Sequence, residues 1–245
     1  RLLLVCAPAG FGKTTAVAQL ARSTPHTVIW HTIDEQERDF PILYQQFTAA
    51  LQNAFPRLTI DANTPSYEPG ELAVSLTNLA ILTSSKENLD QAISYMEEAL
   101  SLDRQVGNRD GIADSLGNLA SLVAQTGDLA RAAQLDSEAL EIRRELGDSI
   151  SIAYSLESIG GTTARAGDWA NALRLLAAAN HLRDEIAAPL PAAEMEAYES
   201  AVSLSRDGLT RDAFDLAWAE GQGLTLEDAM DLAQRLATQI AGRTA

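Results

Sequence analysis

The chain is 245 residues long, 46% apolar but only 5% aromatic, with a formal net charge of −16. Nucleic-acid binding needs clustered Lys and Arg to displace counterions, and that balance argues against it; the single cysteine, Cys6, excludes an internal disulfide framework and fits a cytoplasmic location. No apolar run is long enough to span a bilayer, so no membrane partner is expected.

Residues 1–60 predict a partial nucleotide-binding segment. Leu2-Leu3-Leu4-Val5-Cys6 is a short continuous apolar run, the pattern of a buried parallel strand. It runs into Ala7-Pro8-Ala9-Gly10-Phe11-Gly12-Lys13-Thr14, a P-loop with Ala in place of its first glycine. Small residues let backbone N–H groups turn inward on phosphates. The stretch Ala9, Gly10, Phe11, Gly12, Lys13, Thr14 and Thr15 is therefore the expected ATP or ADP site. Lys13 would reach the β- and γ-phosphates, the Thr14 hydroxyl would hold Mg²⁺, and the helix from Thr14 to Ala21 would point its positive end at the anion. Cys6 with His26 or His31 is a conceivable nucleophile pair, although a strand cysteine reads more simply as core.

A second strand is expected over Thr27–Ile33, ending at Asp34-Glu35, and a helix from Pro41 to about Phe55. Apolar residues ending in Asp-Glu have the pattern of a Walker B strand, but His31 and Thr32 interrupt the run. The Ala-Pro-Ala-Gly-Phe-Gly-Lys-Thr-Thr core, Val28-Ile-Trp, Asp34-Glu35 and Leu51-Gln52 together resemble the opening of a MalT-like ATPase. That is the STAND class of signalling ATPases found in large LuxR-type bacterial transcription regulators. The resemblance implies that Asp34 ends the second strand and is not the Walker B acid. Its further strands, Walker B acids, arginine sensor and winged helix have no counterpart before Glu71, so catalytic residues are not assigned and hydrolysis is not expected. Together with a start at Arg1 inside a strand pattern, this leads us to expect a piece of a larger regulator.

Pro65 and Pro69 mark a linker over 61–70, and a repeat array is expected over 71–221. Asn78-Leu79-Ala80 recurs forty residues on as Asn118-Leu119-Ala120, and more loosely as Ser158-Ile159-Gly160. Ala92, Ala132 and Ala172 hold one register, and Ala99, Ala139 and Ala179 another. Each unit reads as two helices, with Gly107, Gly127, Gly147, Gly167 and Gly208 at the breaks and with Asp128, echoed by Asp168, able to cap the helix that follows. A fixed period of this size predicts a stacked solenoid. A fourth unit is expected over 192–221, with Ala213 in the place of Ala172, followed by a capping helix within 222–245 that opens on Thr225 and Asp228.

Leu116, Leu119, Ala120, Gly127, Ala132 and Ala139 resemble the tetratricopeptide repeat (TPR) in a forty-residue form. The family's aromatic on the second helix is missing; Met96, Asp136 and Leu176 stand there. The fold expected is therefore mainly α, a TPR-like α-α superhelix after a short incomplete α/β P-loop segment. The resemblance implies a groove lined by first helices, with Thr77, Asn78, Ile81, Gly117, Asn118, Ser121, Tyr154, Glu157 and Gly161 on or near it, for a protein or peptide partner. His181 reads as a surface or boundary histidine, and the acidic residues as mostly solvated helix faces. The ending resembles the segment that closes the repeat array of LuxR-type regulators, without a basic recognition helix. Three functions follow: a regulator fragment with a nucleotide-binding remnant, a TPR scaffold without a working nucleotide site, and, least supported, a small NTPase.

Overall fold

The computed structural model describes residues 69–84 and 88–242, all of them in the second of two units, Tyr67–Ala245. The strands, the P-loop at 9–15 and the helices expected over 1–60 lie outside the described residues. The described residues hold nine α-helices and no strand: α1 Pro69–Thr83, α2 Leu89–Val106, α3 Arg109–Thr126, α4 Leu129–Leu146, α5 Ser149–Arg165, α6 Trp169–Glu185, α7 Ala192–Asp207, α8 Arg211–Gln222 and α9 Leu226–Ala241. Pro69 and Gly70, expected in the linker, instead open α1, where a proline costs no helical hydrogen bond.

The breaks fall where the sequence places them. Gly107, Gly127, Gly147 and Gly167 all have positive φ, between 71° and 92°, a conformation that glycine enters without strain. The next helix then begins on a side-chain cap. Asn108 accepts from the Gly111 N–H, Asp128 from Arg131, Asp148 from Ile150 and Ser151, and Asp168 from Asn171. Hydrogen bonding from the Ser151 hydroxyl, more than from the backbone, holds the Asp148 carboxyl below its ordinary value. Thr225 accepts from the Asp228 N–H at 3.1 Å, as the expected cap of α9.

Helices α1 and α2, α3 and α4, and α5 and α6 pair, and successive pairs meet through α2 on α3 and α4 on α5. Ala92, Ala99, Ala132, Ala139, Ala172 and Ala179 are all 0% exposed. These alanines sit where two helix backbones approach, so the forty-residue register is a packing register.

The fourth unit departs from this pattern. Helix α7 packs on α5 and α6, as a next first helix should, but α8 packs on α6 and touches α7 only lightly. Ala213, expected in the register of Ala172, is half-buried, and Ala217 and Gly221 are the buried residues of α8. A Cβ on Gly221 would lie 2.4 Å from the Arg174 carbonyl oxygen, so the α8 backbone rests directly on α6. The Trp169 ring fills the space beside Gly208, where a Cβ would meet it at 2.1 Å. Glycine at that position makes room for an aromatic ring and does not serve a left-handed turn.

Helix α9 does not extend the stack either. It turns back and packs on α4, α5 and α6. Ala229, Met230, Ala233, Leu236, Ala237 and Ile240 form its buried stripe, and they join Leu140, Leu156, Leu175 and Leu182 in one core. Polar contacts flank that stripe. Arg144 of α4 meets Glu227 and Asp231, and the Gln234 amide donates to Ser137 Oγ at 2.6 Å and Glu141 Oε1 at 2.9 Å. A second core, built from Met96, Leu100, Leu116, Leu119 and Val123, sits within the first two pairs.

Candidate ligand cleft

The first helices of three successive units, α3, α5 and α7, line one cleft of about 340 Å³. Gly117, Asn118 and Ser121 come from α3, Tyr154, Glu157 and Gly161 from α5, and Glu194, Tyr198 and Ala201 from α7. Residues three and four apart share a helix face, which is why each helix contributes at that spacing. The structure thus brings together six of the residues that the sequence placed on the groove. It does not bring Thr77, Asn78 or Ile81 to this cleft. These lie on α1, where the Thr77 hydroxyl faces Met96 Sδ at 3.9 Å and Asn78 and Ile81 are exposed.

Beneath the cleft lies a polar layer that sequence reasoning missed. Asp103, Asp136, Arg143 and Arg183 are all buried, and the two acids depart from the expectation that the acidic residues mostly face solvent. Buried charge is costly unless it is paired, and each of these has partners. The Ser115 hydroxyl donates to Asp103 at 2.9 Å, and the Ser158 hydroxyl donates to Asp136 at 3.0 Å. Arg183 grips Glu157 with two hydrogen bonds, Nε to Oε1 at 2.6 Å and Nη2 to Oε2 at 2.9 Å, and its Nη1 donates to the Ala188 carbonyl. The same guanidinium lies 4.4 Å over the Tyr154 ring, a cation–π contact in a dry setting. Arg143 donates to Ser155 Oγ at 2.8 Å and to Asp114 at 3.1 Å, while its buried Nε has no partner.

A signal for this layer was present in the period. Asp103, Arg143 and Arg183 are forty residues apart, as are Ser115 and Ser155. Each second helix therefore carries a polar residue at one register, and the first two bond to a serine twelve residues on.

Burial sets the proton affinities here. It pushes the Asp136 carboxyl up to about 7, against the Ser158 hydrogen bond and the nearby Arg143 charge. Burial also raises Glu157, against the pull of Arg183, and the hydrogen bonds that Arg183 donates to Glu157 in turn raise Arg183. The two short bonds of that pair have charge-assisted geometry. Tyr198 is pushed up to about 12, by burial first and by the Glu157 charge second. His181 lies outside the cleft, half-buried, with Nε2 3.5 Å from Glu185.

The arrangement can hold a polar ligand in an extended form. Asn118, Ser121 and Tyr154 offer hydrogen-bonding groups, and rigid pairs beneath them fix the floor. Among the described residues, no cluster of His, Cys, Asp or Glu could hold a metal ion, and no helix is long and apolar enough to cross a membrane. Residues 71–145 match the tetratricopeptide repeat family. That span covers the first two helix pairs, and α5 and α6 continue their caps and alanine register, so the described residues contain a tetratricopeptide-type helical array. No curated protein and no solved structure matches the chain.

Proposed function

We propose that the helical array is a protein-interaction scaffold and that its α3–α5–α7 cleft takes an extended segment of a partner protein. The observation that carries this is the convergence of Gly117, Asn118, Ser121, Tyr154, Glu157 and Gly161 on one opening. Peptide selection from a random display library against the full chain tests it. The unmodified chain should enrich a sequence motif, and Tyr154→Ala, which removes both ring and hydroxyl from the cleft, should weaken binding of the enriched peptide at least tenfold. Failure to enrich any motif, or equal binding by the variant, rejects the cleft as the site.

The P-loop supports a second role on the same chain, that of a nucleotide-binding remnant of a MalT-like STAND regulator in the cytoplasm. Its support is the order Gly10-Phe11-Gly12-Lys13-Thr14 after an apolar run. ATP or ADP with Mg²⁺ would bind at Ala9 through Thr15, with Thr14 on the metal, but without turnover and without direct contact to nucleic acid. Calorimetric titration with Mg-ATP should show weak binding that Lys13→Ala abolishes, because the phosphate-facing charge is gone. An unmodified chain that binds no ATP at millimolar concentration leaves the scaffold role alone.

A further inference from the structure

We infer that the groove between α2 and α4 seats an amphipathic helix of a partner protein, one built like α9. This surface is separate from the α3–α5–α7 cleft and shares no lining residue with it. The groove holds about 340 Å³, and Leu100 of α2, Leu119 of α3 and Leu135 of α4 are its apolar lining. Glu97, Ser101 and Arg104 of α2 and Arg131 of α4 supply the polar part.

The forty-residue period identifies the occupant. Moved one unit on, Leu100, Leu119 and Leu135 become Leu140, Ile159 and Leu175, which share one core with α9. Glu97, Ser101 and Arg104 become Ser137, Glu141 and Arg144. Ser137 and Glu141 accept from Gln234 of α9, and Arg144 meets its Glu227 and Asp231. Six of the seven residues lining the open groove therefore have counterparts in the seat of α9; the seventh, Arg131, corresponds to Asn171. The apolar positions show what the open groove lacks. Ile152 and Leu175, in the core that α9 completes, are 2% and 0% exposed, whereas Ile112 and Leu135, one unit earlier, are only partly buried.

Charge decides which helix fits. In the open groove Arg104 reaches across to Glu138 at 2.7 Å, and Arg131 reaches Glu97. All four side chains are about half-exposed, so water screens both pairs and they part at little cost. In the occupied groove the counterpart of Glu138 is Ala178, and Arg144 turns to the acids of α9 instead. An acid on the incoming helix takes Arg104 from Glu138 in the same way. The partner helix therefore carries two acids spaced as Glu227 and Asp231 are, one helical turn apart. Its apolar stripe has small residues at the places of Ala229, Ala233 and Ala237, which let the backbone lie close, and larger ones at those of Met230, Leu236 and Ile240.

A labelled synthetic peptide of residues 225–242, the α9 sequence, is the probe, and fluorescence anisotropy reads its binding to the full chain. Binding should saturate at one peptide per chain. Arg104→Glu should weaken it at least tenfold, and Glu138→Ala, which removes the competing acid, should tighten it several-fold. A peptide carrying Glu227→Lys and Asp231→Lys should reverse the preference and bind the Arg104→Glu chain more tightly than the unmodified one. Both chain substitutions fall on exposed side chains, and circular dichroism checks that the variants fold.

No saturable binding at millimolar peptide, or equal binding by a folded Arg104→Glu variant, overturns the seat. Binding that Arg144→Glu abolishes and Arg104→Glu does not would place the peptide in the seat of α9 itself, and this too overturns the proposal. Sedimentation of the full chain tests the remaining occupant. A dimer that Arg104→Glu dissociates would make a second copy the occupant in place of a partner helix, whereas a monomer that binds the peptide upholds the partner.

Discussion

Asp136→Asn should make the protein more stable above pH 7, by as much as about 4 kcal/mol, and should leave it nearly unchanged below pH 4. The Asp136 carboxyl is buried and its pKa is pushed from an ordinary 3.8 up to about 7. In the unfolded chain it ionises near its ordinary value. Below that value both states hold the proton, and the group imposes no pH-dependent cost. Between the two values the unfolded state releases a proton that the folded state keeps, so stability falls as pH rises. Above about 7 the folded state carries a buried carboxylate, and the whole penalty is present. At about 1.4 kcal/mol per pH unit the gap corresponds to about 4 kcal/mol. An asparagine keeps an acceptor for the Ser158 hydroxyl and carries no charge. Urea denaturation of both proteins at pH 4, 6 and 8.5 measures this. Curves that stay parallel across the range would show that water or Arg143 already neutralises the buried acid.

Glu157→Ala should cost about 3–5 kcal/mol, because it strands a buried guanidinium. Arg183 would keep the Ala188 carbonyl and the Tyr154 ring, but lose both short bonds to the acid. The comparison is Glu97→Ala, which breaks the ion pair with Arg131 between two roughly half-exposed side chains. Exposed pairs of that kind contribute about 0–1 kcal/mol. Thermal unfolding of the two variants should therefore separate them clearly. Equal losses would mean that solvent reaches Arg183 in the folded protein. Arg183→Leu added to Glu157→Ala should recover part of the loss, since an apolar side chain of similar length needs no acid.

Much of the array was legible because the repeat writes local rules three times. The glycine breaks, the Asp caps and the alanine registers are short-range signals, and the structure follows them from Gly107 to Asp168. The cleft residues of α3 and α5 followed from the same register. The ends of the array were less legible. That α8 sits on α6, through Ala217 and Gly221, depends on contacts between segments far apart in sequence. The fold-back of α9 depends on an exposed groove over α4, α5 and α6 that no local pattern names. Its strongly one-sided stripe from Ala229 to Ile240 shows that the helix needs a covering partner, and not which one. The buried charges were missed for a different reason. Asp103, Arg143 and Arg183 look like ordinary helix-surface residues until the repeats are aligned and the serines twelve residues beyond Asp103 and Arg143 are seen, whereas Asp136 shares the register of the buried Met96 and Leu176.

The return of α9 across the array changes how its parts melt and form. A plain solenoid joins each unit only to its neighbours, so it can nucleate anywhere and unzip from either end. Here Gln234 meets Ser137 across 97 residues, and the helix that carries it also contacts α5 and α6. That long closure must be completed before α4, α5 and α6 gain their last cover, which slows formation and binds these helices into one cooperative block. Helices α1 and α2 have no such strap and make no large contact with α9. Among the described helices, α1 and α2 should therefore exchange their amide protons before α4 through α6, which hydrogen exchange measures.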